Sequence, residues 1–277
     1  MRKQILFCAA LLLLSILSSV SVVAEDVIPQ PNNISYSKGY FTLNKGLKAV
    51  TNLTGQDFKV LNQFTSDDMD MPLISMKKPS KAYNVRLICT GTALQATQAQ
   101  DSARLQGYEL EVSPKSITIQ SLTPTGLFYG LLTLAQLEKG RQIPCVKVKD
   151  TPRFPYRGLM IDCSRHFWTK KFIMKQLDAM AYFKLNRFHW HLTDGGGWRM
   201  EVKQYPRLTN ETAYRTQSDW VKWWMEKDRK YCPVGTPGAY GGYYTQQDIK
   251  DIVRYAAARH ITVIPEIEMP GHSDEVV

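Results

Sequence analysis

From residue 158 onward the chain alternates between two hydrophobic periods, and this alternation restricts its possible folds more than any other feature. Gly158-Leu159-Met160-Ile161-Asp162 is a short, continuous apolar run that ends in polar residues. Thr169 stands where a helix N-cap belongs. Ile173, Leu177, Met180 and Ala181 then recur at helical spacing, up to about Lys184. Asn186 to Asp194 reads as a second strand. Gln246 to Arg259 reads as a second helix, capped by Thr245, with Ile249, Ile252, Val253 and Ala256 on one side. Ile261 to Glu268 is a third strand. Apolar strands separated by amphipathic helices predict parallel β/α units, with helices laid on the sheet.

Each of these strands runs into a polar cluster. The first is Asp162-Cys163-Ser164-Arg165-His166. The second is His189-Trp190-His191-Leu192-Thr193-Asp194, continuing into Gly195-Gly196-Gly197-Trp198. The third holds Glu268 and His272 in Pro265-Glu266-Ile267-Glu268-Met269-Pro270-Gly271-His272. In a parallel β/α architecture the carboxyl ends of the strands open on one face, so these clusters should converge. An arginine there offers a planar fork of donors suited to paired hydroxyls or a carboxylate. An Asp beside a His fixes its tautomer, a common support for acid–base chemistry. His189, His191 and His272 with nearby acids also have the chemistry of a zinc ligand set. However, His189 and His191 lie two apart on a strand, between Phe188, Trp190 and Leu192, where histidines are commonly packed and hydrogen-bonded. We assign no metal and no cofactor. Between the second strand and second helix lies a long excursion, from about Tyr205 to Tyr244. It is rich in aromatics, including Trp220, Trp223, Trp224, Tyr231, Tyr240 and Tyr243. These either pack the loop onto the body or stack on sugar rings.

The preceding part has a different rhythm. Residues 25–150 read as a small α/β domain. Tyr108 to Val112 and Ser116 to Ser121 alternate as half-buried strands, joined at Ser113-Pro114-Lys115. An apolar helix from Leu127 to Leu137 ends before Gly140. Asp150-Thr151-Pro152-Arg153-Phe154-Pro155 marks the boundary with a second domain over 153–277. Residues 1–24 have the form of a secretory signal peptide. Arg2 and Lys3 precede the apolar Ile5 to Leu17, and Val22-Val23-Ala24 offers a cleavage site. Export is therefore expected: periplasmic or extracellular in a bacterium, the secretory or lysosomal route in a eukaryote. The apolar stretch falls short of the roughly 18–20 residues of a membrane span. Cleavage would lower the net charge of +10 by two. The remaining basic residues are scattered among acids, which argues against a nucleic-acid surface. Cys89, Cys145, Cys163 and Cys232 show no zinc spacing and no readable pairing. Asn33-Ile34-Ser35, Asn52-Leu53-Thr54 and Asn210-Glu211-Thr212 are glycosylation sequons.

Taken in order, these motifs resemble glycoside hydrolase family 20, the exo-acting β-N-acetylhexosaminidases. The resemblance is carried by Arg157-Gly158 through Phe167, by His189 to Asp194 with Trp198, by Gly241-Gly242-Tyr243-Tyr244-Thr245, and by Pro265 to His272. Ile28-Pro29-Gln30-Pro31 and Gly126-Leu127-Phe128-Tyr129-Gly130 are similar to that family's non-catalytic amino-terminal α/β domain. The implied fold is α/β: a small α/β amino-terminal domain, then the first three or so strands of a (β/α)8 TIM-type barrel, incomplete here. The implied partner is an N-acetylhexosamine-terminated oligosaccharide or glycoconjugate. Arg165 matches the arginine that holds hydroxyls of the terminal sugar. Asp194 and His272 match a pair that supports the catalytic acid. Glu268 stands where many members have Asp, and Gly195 where a second acid is frequent.

The resemblance also implies a substrate-assisted retaining mechanism, outside the usual two-carboxylate scheme. The 2-acetamido oxygen attacks the anomeric carbon, an Asp orients that group, and an adjacent Glu protonates the leaving oxygen. In the family this Asp-Glu pair follows a His-x-Gly-Gly run, which these 277 residues do not contain. Asp274 and Glu275 are adjacent, but they follow the Pro-Gly-His turn directly and lack the glycines. The expectation is thus a fragment without the catalytic pair, inactive alone. Residues 153–277 supply about half of the roughly 250 that a full barrel needs, and an open sheet would leave apolar faces uncovered. One alternative is a non-catalytic glycan-binding protein derived from the family, and another is a barrel glycosidase of a different kind.

Overall fold

The computed structural model describes residues 27–227 and 229–276; the leader expected over 1–24 lies outside them. No helix among the described residues is long and apolar enough to cross a membrane.

The first unit has strands β1 (Asn33–Thr42), β2 (Ala49–Thr51), β3 (Leu73–Ser75), β4 (Val85–Cys89), β5 (Tyr108–Ser113), β6 (Ser116–Ser121) and β7 (Gln142–Asp150). Its helices are α1 (Gly55–Met69), α2 (Ala93–Gln98) and α3 (Pro124–Leu137). The strands form one mixed sheet in the order β1-β7-β5-β6-β4-β2-β3. Alternation along β5 and β6 buries Tyr108, Leu110, Val112, Ile117 and Ile119, the period-2 signature of a half-buried sheet.

α3 carries no charge, and almost all of it is buried. A helix that is apolar all round must be covered on every side. Thr123 caps its N-terminus by accepting from Gly126 N, and Pro124 fills the first turn. One side lies directly on the sheet. A Cβ on Gly126 would stand 2.1 Å from Ser121 Oγ, and one on Gly130 2.5 Å from Ile119 Cγ2. The other side meets the second unit. The Phe128 ring lies 5.0 Å from that of His260, the Arg157 guanidinium lies over Tyr129, and Gln136 Nε2 donates to Tyr182 O.

The second unit comprises β8 (Gly158–Asp162), α4 (Lys170–Tyr182), β9 (Arg187–His191), α5 (Arg207–Asn210), β10 (Tyr214–Arg215), α6 (Trp220–Met225), β11 (Tyr240–Gly241), α7 (Gln246–Ala257) and β12 (Thr262–Glu266). β8, β9 and β12 form a parallel sheet in the order β12-β9-β8, which is the wall of consecutive β/α units expected from the sequence. The side chains of Thr169 and Thr245 cap α4 and α7. Ile173, Leu177, Met180 and Ala181 are buried from α4, and Ile252 and Ala256 from α7. Val253, expected on the apolar side of α7, is exposed. It sits one position round from the Ile249–Ile252–Ala256 row, beyond the reach of the sheet. α4 stops two residues short of Lys184, because Lys184 takes a left-handed conformation (φ 58°) and closes the helix. The second and third strands are shorter than expected. Past His191 and Glu266 the backbone leaves the ladder and turns into the polar clusters. Opposite the helices the sheet is open: Met160 on β8 is 51% exposed.

Candidate active site

Strand register builds the floor of the site. β9 pairs His191 with Asp162 on one side and with Glu266 on the other. These three polar residues form one cross-strand row at the carboxyl ends. Above it, Asp162 Oδ1 accepts from the backbone N of Ser164 and of Arg165, each at 2.9 Å, and so tightens the turn after β8. Asp162 Oδ2 takes Arg165 Nη1 at 2.7 Å, and the other guanidinium arm donates to Asp194 Oδ2 at 2.6 Å. The same Asp194 oxygen lies 3.2 Å from His191 Nε2 and 3.2 Å from His272 Nδ1. Asp194 is 4% exposed at its side chain, whereas His272 is 64% exposed. Arg165, Asp194 and His272, from three separate loops, therefore meet at one buried carboxylate.

Glu268 stands at the edge of this group, its backbone N donating to Thr193 Oγ1 at 2.8 Å. The central acid is Glu266, to which the sequence assigned no role. Its Oε2 lies 2.5 Å from His189 Nε2 and 2.8 Å from His191 Nδ1. Both imidazoles thus approach the same carboxylate oxygen of Glu266. A hydrogen bond from the Glu268 carboxyl holds Glu266 below the usual carboxylate range against burial, and His191 and His189 add to the lowering. The same bond raises Glu268, with burial and the Glu266 charge acting in the same direction. His191, Glu266 and Glu268 have donor atoms within 4.8 Å of one another, close enough for a cation. Glu266 Oε2 also faces the imidazoles of His189 and His191.

Two arginines beneath the site have no acid partner within hydrogen-bond reach among the described residues, and both are fully buried. Arg199 donates to the carbonyls of Cys163, Ser164, Gly196, Gly242 and Ala213. Burial pulls its pKa down to about 10. Arg215 donates to Gly196 O at 3.1 Å and to Arg165 O at 2.9 Å. Together they pin the triple-glycine loop and the backbone of Arg165. Carbonyl acceptors have no sequence identity, so nothing in the sequence signalled this role. For Glu266 a signal did exist, because it lies two residues before Glu268 and so shares its strand face.

The aromatic excursion does not behave uniformly. Trp223 and Tyr244 are buried as packing residues, while Trp224 is 43% exposed. Tyr231 OH donates to Gly195 O at 2.8 Å. Glu275 is buried beside these groups, and neither of its carboxyl oxygens has a partner among the described residues. Burial, reinforced by the charges of Asp194 and Asp274, pushes its pKa up to about 7. Cys163 is a thiol between Trp190 Nε1 and Tyr244 OH, and burial raises its pKa to about 11. All four described cysteines are free.

Residues 154–277 match the family model for glycosyl hydrolase family 20, catalytic domain, and residues 24–151 match that for glycosyl hydrolase family 20, domain 2. A beta-hexosaminidase of Porphyromonas gingivalis is 36% identical over 265 residues, covering 90% of this chain and 30% of that protein. N,N'-diacetylchitobiase of Vibrio harveyi is 35% identical over 267 residues, covering 92% of this chain and 28% of its own length. The chain thus spans less than a third of these curated relatives. Among solved structures, the exo β-N-acetylglucosaminidase from Vibrio harveyi, in complex with N-acetylglucosamine, aligns with a TM-score of 0.72 at 30% identity. That alignment covers 91% of this chain and 37% of that one. The β-N-acetylhexosaminidase of Bacteroides fragilis aligns with a TM-score of 0.69 at 26% identity, over 91% of this chain and 46% of its own.

Proposed function

The chain belongs to glycosyl hydrolase family 20, and from that premise we propose that it carries the sugar-gripping half of a β-N-acetylhexosaminidase site. The substrates are glycans ending in N-acetylhexosamine. The observation that carries this reading is the convergence of Arg165 and His272 on the single buried carboxylate of Asp194. A guanidinium has five N–H donors. Asp162 and Asp194 each take one side-chain bond and fix the plane of the group, leaving donors for the hydroxyls of a terminal sugar. His272 directs Nδ1 at Asp194, which leaves Nε2 on its exposed side to hold the carboxyl of an acid. Asp194 then acts as a positioning residue behind His272. Glu268 is a further acid of the pit, its charge shared with Glu266.

In the substrate-assisted route, the acetamido oxygen displaces the leaving group at the anomeric carbon while an acid protonates the departing oxygen. We assign this chain the binding and positioning groups, not the proton donor, because the His-x-Gly-Gly run that precedes the family's Asp-Glu pair does not occur in it. The exposed inner face of β8 is consistent with a sheet that packs against further barrel strands. We also propose export through the leader over 1–24; a secreted product whose first residue is Glu25 is the expected result of amino-terminal sequencing.

The test is a binding and turnover experiment on the chain. It should bind N-acetylglucosamine, and Arg165→Ala should weaken that binding at least about tenfold. It should release no chromophore from a chromogenic N-acetyl-β-glucosaminide. Turnover by the chain alone would sink this division of roles. An unchanged affinity in the Arg165→Ala variant would sink the assignment of Arg165.

A further inference from the structure

The parallel sheet carries a second pattern that sugar binding does not require. His189 and His191 stand two apart on β9, and Glu266 closes β12 with Glu268 two residues beyond it. The period of two puts both histidines on one face of the sheet. Parallel register then sets Glu266 directly opposite His191, with His189 one row behind. The donor atoms of His191, Glu266 and Glu268 lie within 4.8 Å of one another. His189 brings a second imidazole to the group, its Nε2 2.5 Å from Glu266 Oε2.

His191 is oriented as a metal ligand is. Its Nε2 lies 3.2 Å from Asp194 Oδ2, and its Nδ1 lies 2.8 Å from Glu266 Oε2. An imidazole that donates Nε2–H to a carboxylate presents the Nδ1 lone pair on its other side. Proteins use this carboxylate–histidine pairing to orient an imidazole that holds a metal and to strengthen it as a ligand. A lone pair and a carboxylate oxygen 2.8 Å apart call for a positive charge between them, a proton or a metal ion. The His191 side chain is buried, whereas that of His189 is 38% exposed, so the group is open to an incoming ion from the His189 side. The sequence alone favoured packed histidines on this strand. His272, the third histidine considered with them, turns to Asp194 instead.

We propose that His189, His191, Glu266 and Glu268 form a binding site for one divalent transition-metal ion of the zinc class. Two imidazole nitrogens and two carboxylate oxygens suit zinc, whereas magnesium and calcium prefer shells made of oxygen. Tetrahedral bonds of about 2.1 Å hold ligand atoms about 3.4 Å apart. The 2.5 and 2.8 Å contacts at Glu266 Oε2 therefore open by no more than about 1 Å around the ion. Arg165 directs its two arms at Asp162 and Asp194, which leaves the two glutamates to the ion. The bound ion ties the end of β9 to the end of β12 and needs no sugar in place.

The probes are zinc and cobalt(II) ions alone, titrated into the chain after dialysis against a chelator. Calorimetry should show one zinc per chain with a Kd of about 10 μM or tighter, undisturbed by an excess of magnesium. Cobalt(II) should give the strong visible absorption of a tetrahedral ion. His189→Gln and Glu266→Gln should each weaken zinc at least about tenfold and abolish that absorption. His272→Gln should leave zinc affinity within about twofold and keep the absorption. Circular dichroism identifies the folded variants, and if one of the two ligand variants does not fold, the other decides. No bound zinc, several weak equivalents, a weak octahedral cobalt spectrum, or an affinity that survives the ligand variants each overturn the site. So does a loss in His272→Gln as large as in His189→Gln, which would give the ion to a set built on His272.

Discussion

On Asp194 Oδ2 Arg165 and His272 from two loops and His191 from the end of β9 converge, and a buried carboxylate holding a guanidinium cannot be neutralised cheaply. Asp194→Asn keeps the shape but removes the charge that faces Arg165. The expected loss is about 2–4 kcal/mol of unfolding free energy, read by urea denaturation. Glu275 is the opposite case, a buried acid without a partner. Its pKa rises from an ordinary 4.5 to about 7 in the folded chain, so the folded state binds the extra proton between those values. Its contribution to stability is fully present below pH 4.5, declines as pH rises through that window, and is lost above about pH 7. Glu275→Gln should therefore flatten the fall in stability between pH 4.5 and 7. Its advantage over the unaltered chain above pH 7 should be on the order of 2 kcal/mol. An identical pH profile for the two chains would mean that the carboxyl is solvated.

At the scale of elements, the loop entering α7 is fixed by chemistry that cannot be varied freely. Gly241 has φ 151°, and a Cβ there would stand 2.1 Å from Ala213 O; one on Gly242 would stand 2.4 Å from the Phe167 ring. Gly241→Ala should cost about 3 kcal/mol or more, because both the backbone conformation and the clash oppose it. The α7 cap is a reciprocal box between Thr245 and Asp248, and Thr245→Ala should cost about 1 kcal/mol. Thermal melts of the two variants should rank in that order. The elements most legible in the sequence were those with a clean period and a cap: β8, α4, β9, α7 and β12, with β5, β6 and α3 before them. Other elements of the first unit left little pattern. β1 exposes most of its residues, β2 and β3 have three residues each, and α1 buries only Leu61, Thr65 and Met69. The strands among them are held by their neighbours in the sheet, and α1 by packing, not by their own periodicity. The polar clusters of the site were legible because strand ends announce them. The centrality of Glu266 was not, because it depends on which residue of β9 it faces.

For the whole molecule, the two units are joined through buried polar groups as well as through α3. Lys184 Nζ donates to Thr133 Oγ1 at 2.7 Å and to Tyr108 OH at 2.9 Å, and it lies 3.5 Å from Asp150 Oδ2. Burial lowers its pKa from 10.5 to about 8, against the pull of Asp150. The folded chain then binds fewer protons than the unfolded chain between pH 8 and 10.5, so the Lys184 contribution makes stability rise with pH across that window. Lys184→Met should abolish this rise. The checking measurement is the difference between the denaturation midpoints of the two chains at pH 7.5 and pH 10. An equal difference at both values would show that Lys184 keeps its proton.

The sequence alone determined the order of the three parallel strands and two long helices of the second unit, the polar character of the strand ends and the family. All of these depend on local period, capping chemistry and motif order, which a chain carries whatever its tertiary state. Only the tertiary structure decided which polar groups share a proton or a charge. Asp162, His191 and Glu266 form a row because parallel register aligns them. Arg199 and Arg215 are site supports because burial leaves them no solvent and turns them toward backbone carbonyls. Trp223 packs while Trp224 faces outward because one side of a short helix met the body of the protein and the other did not.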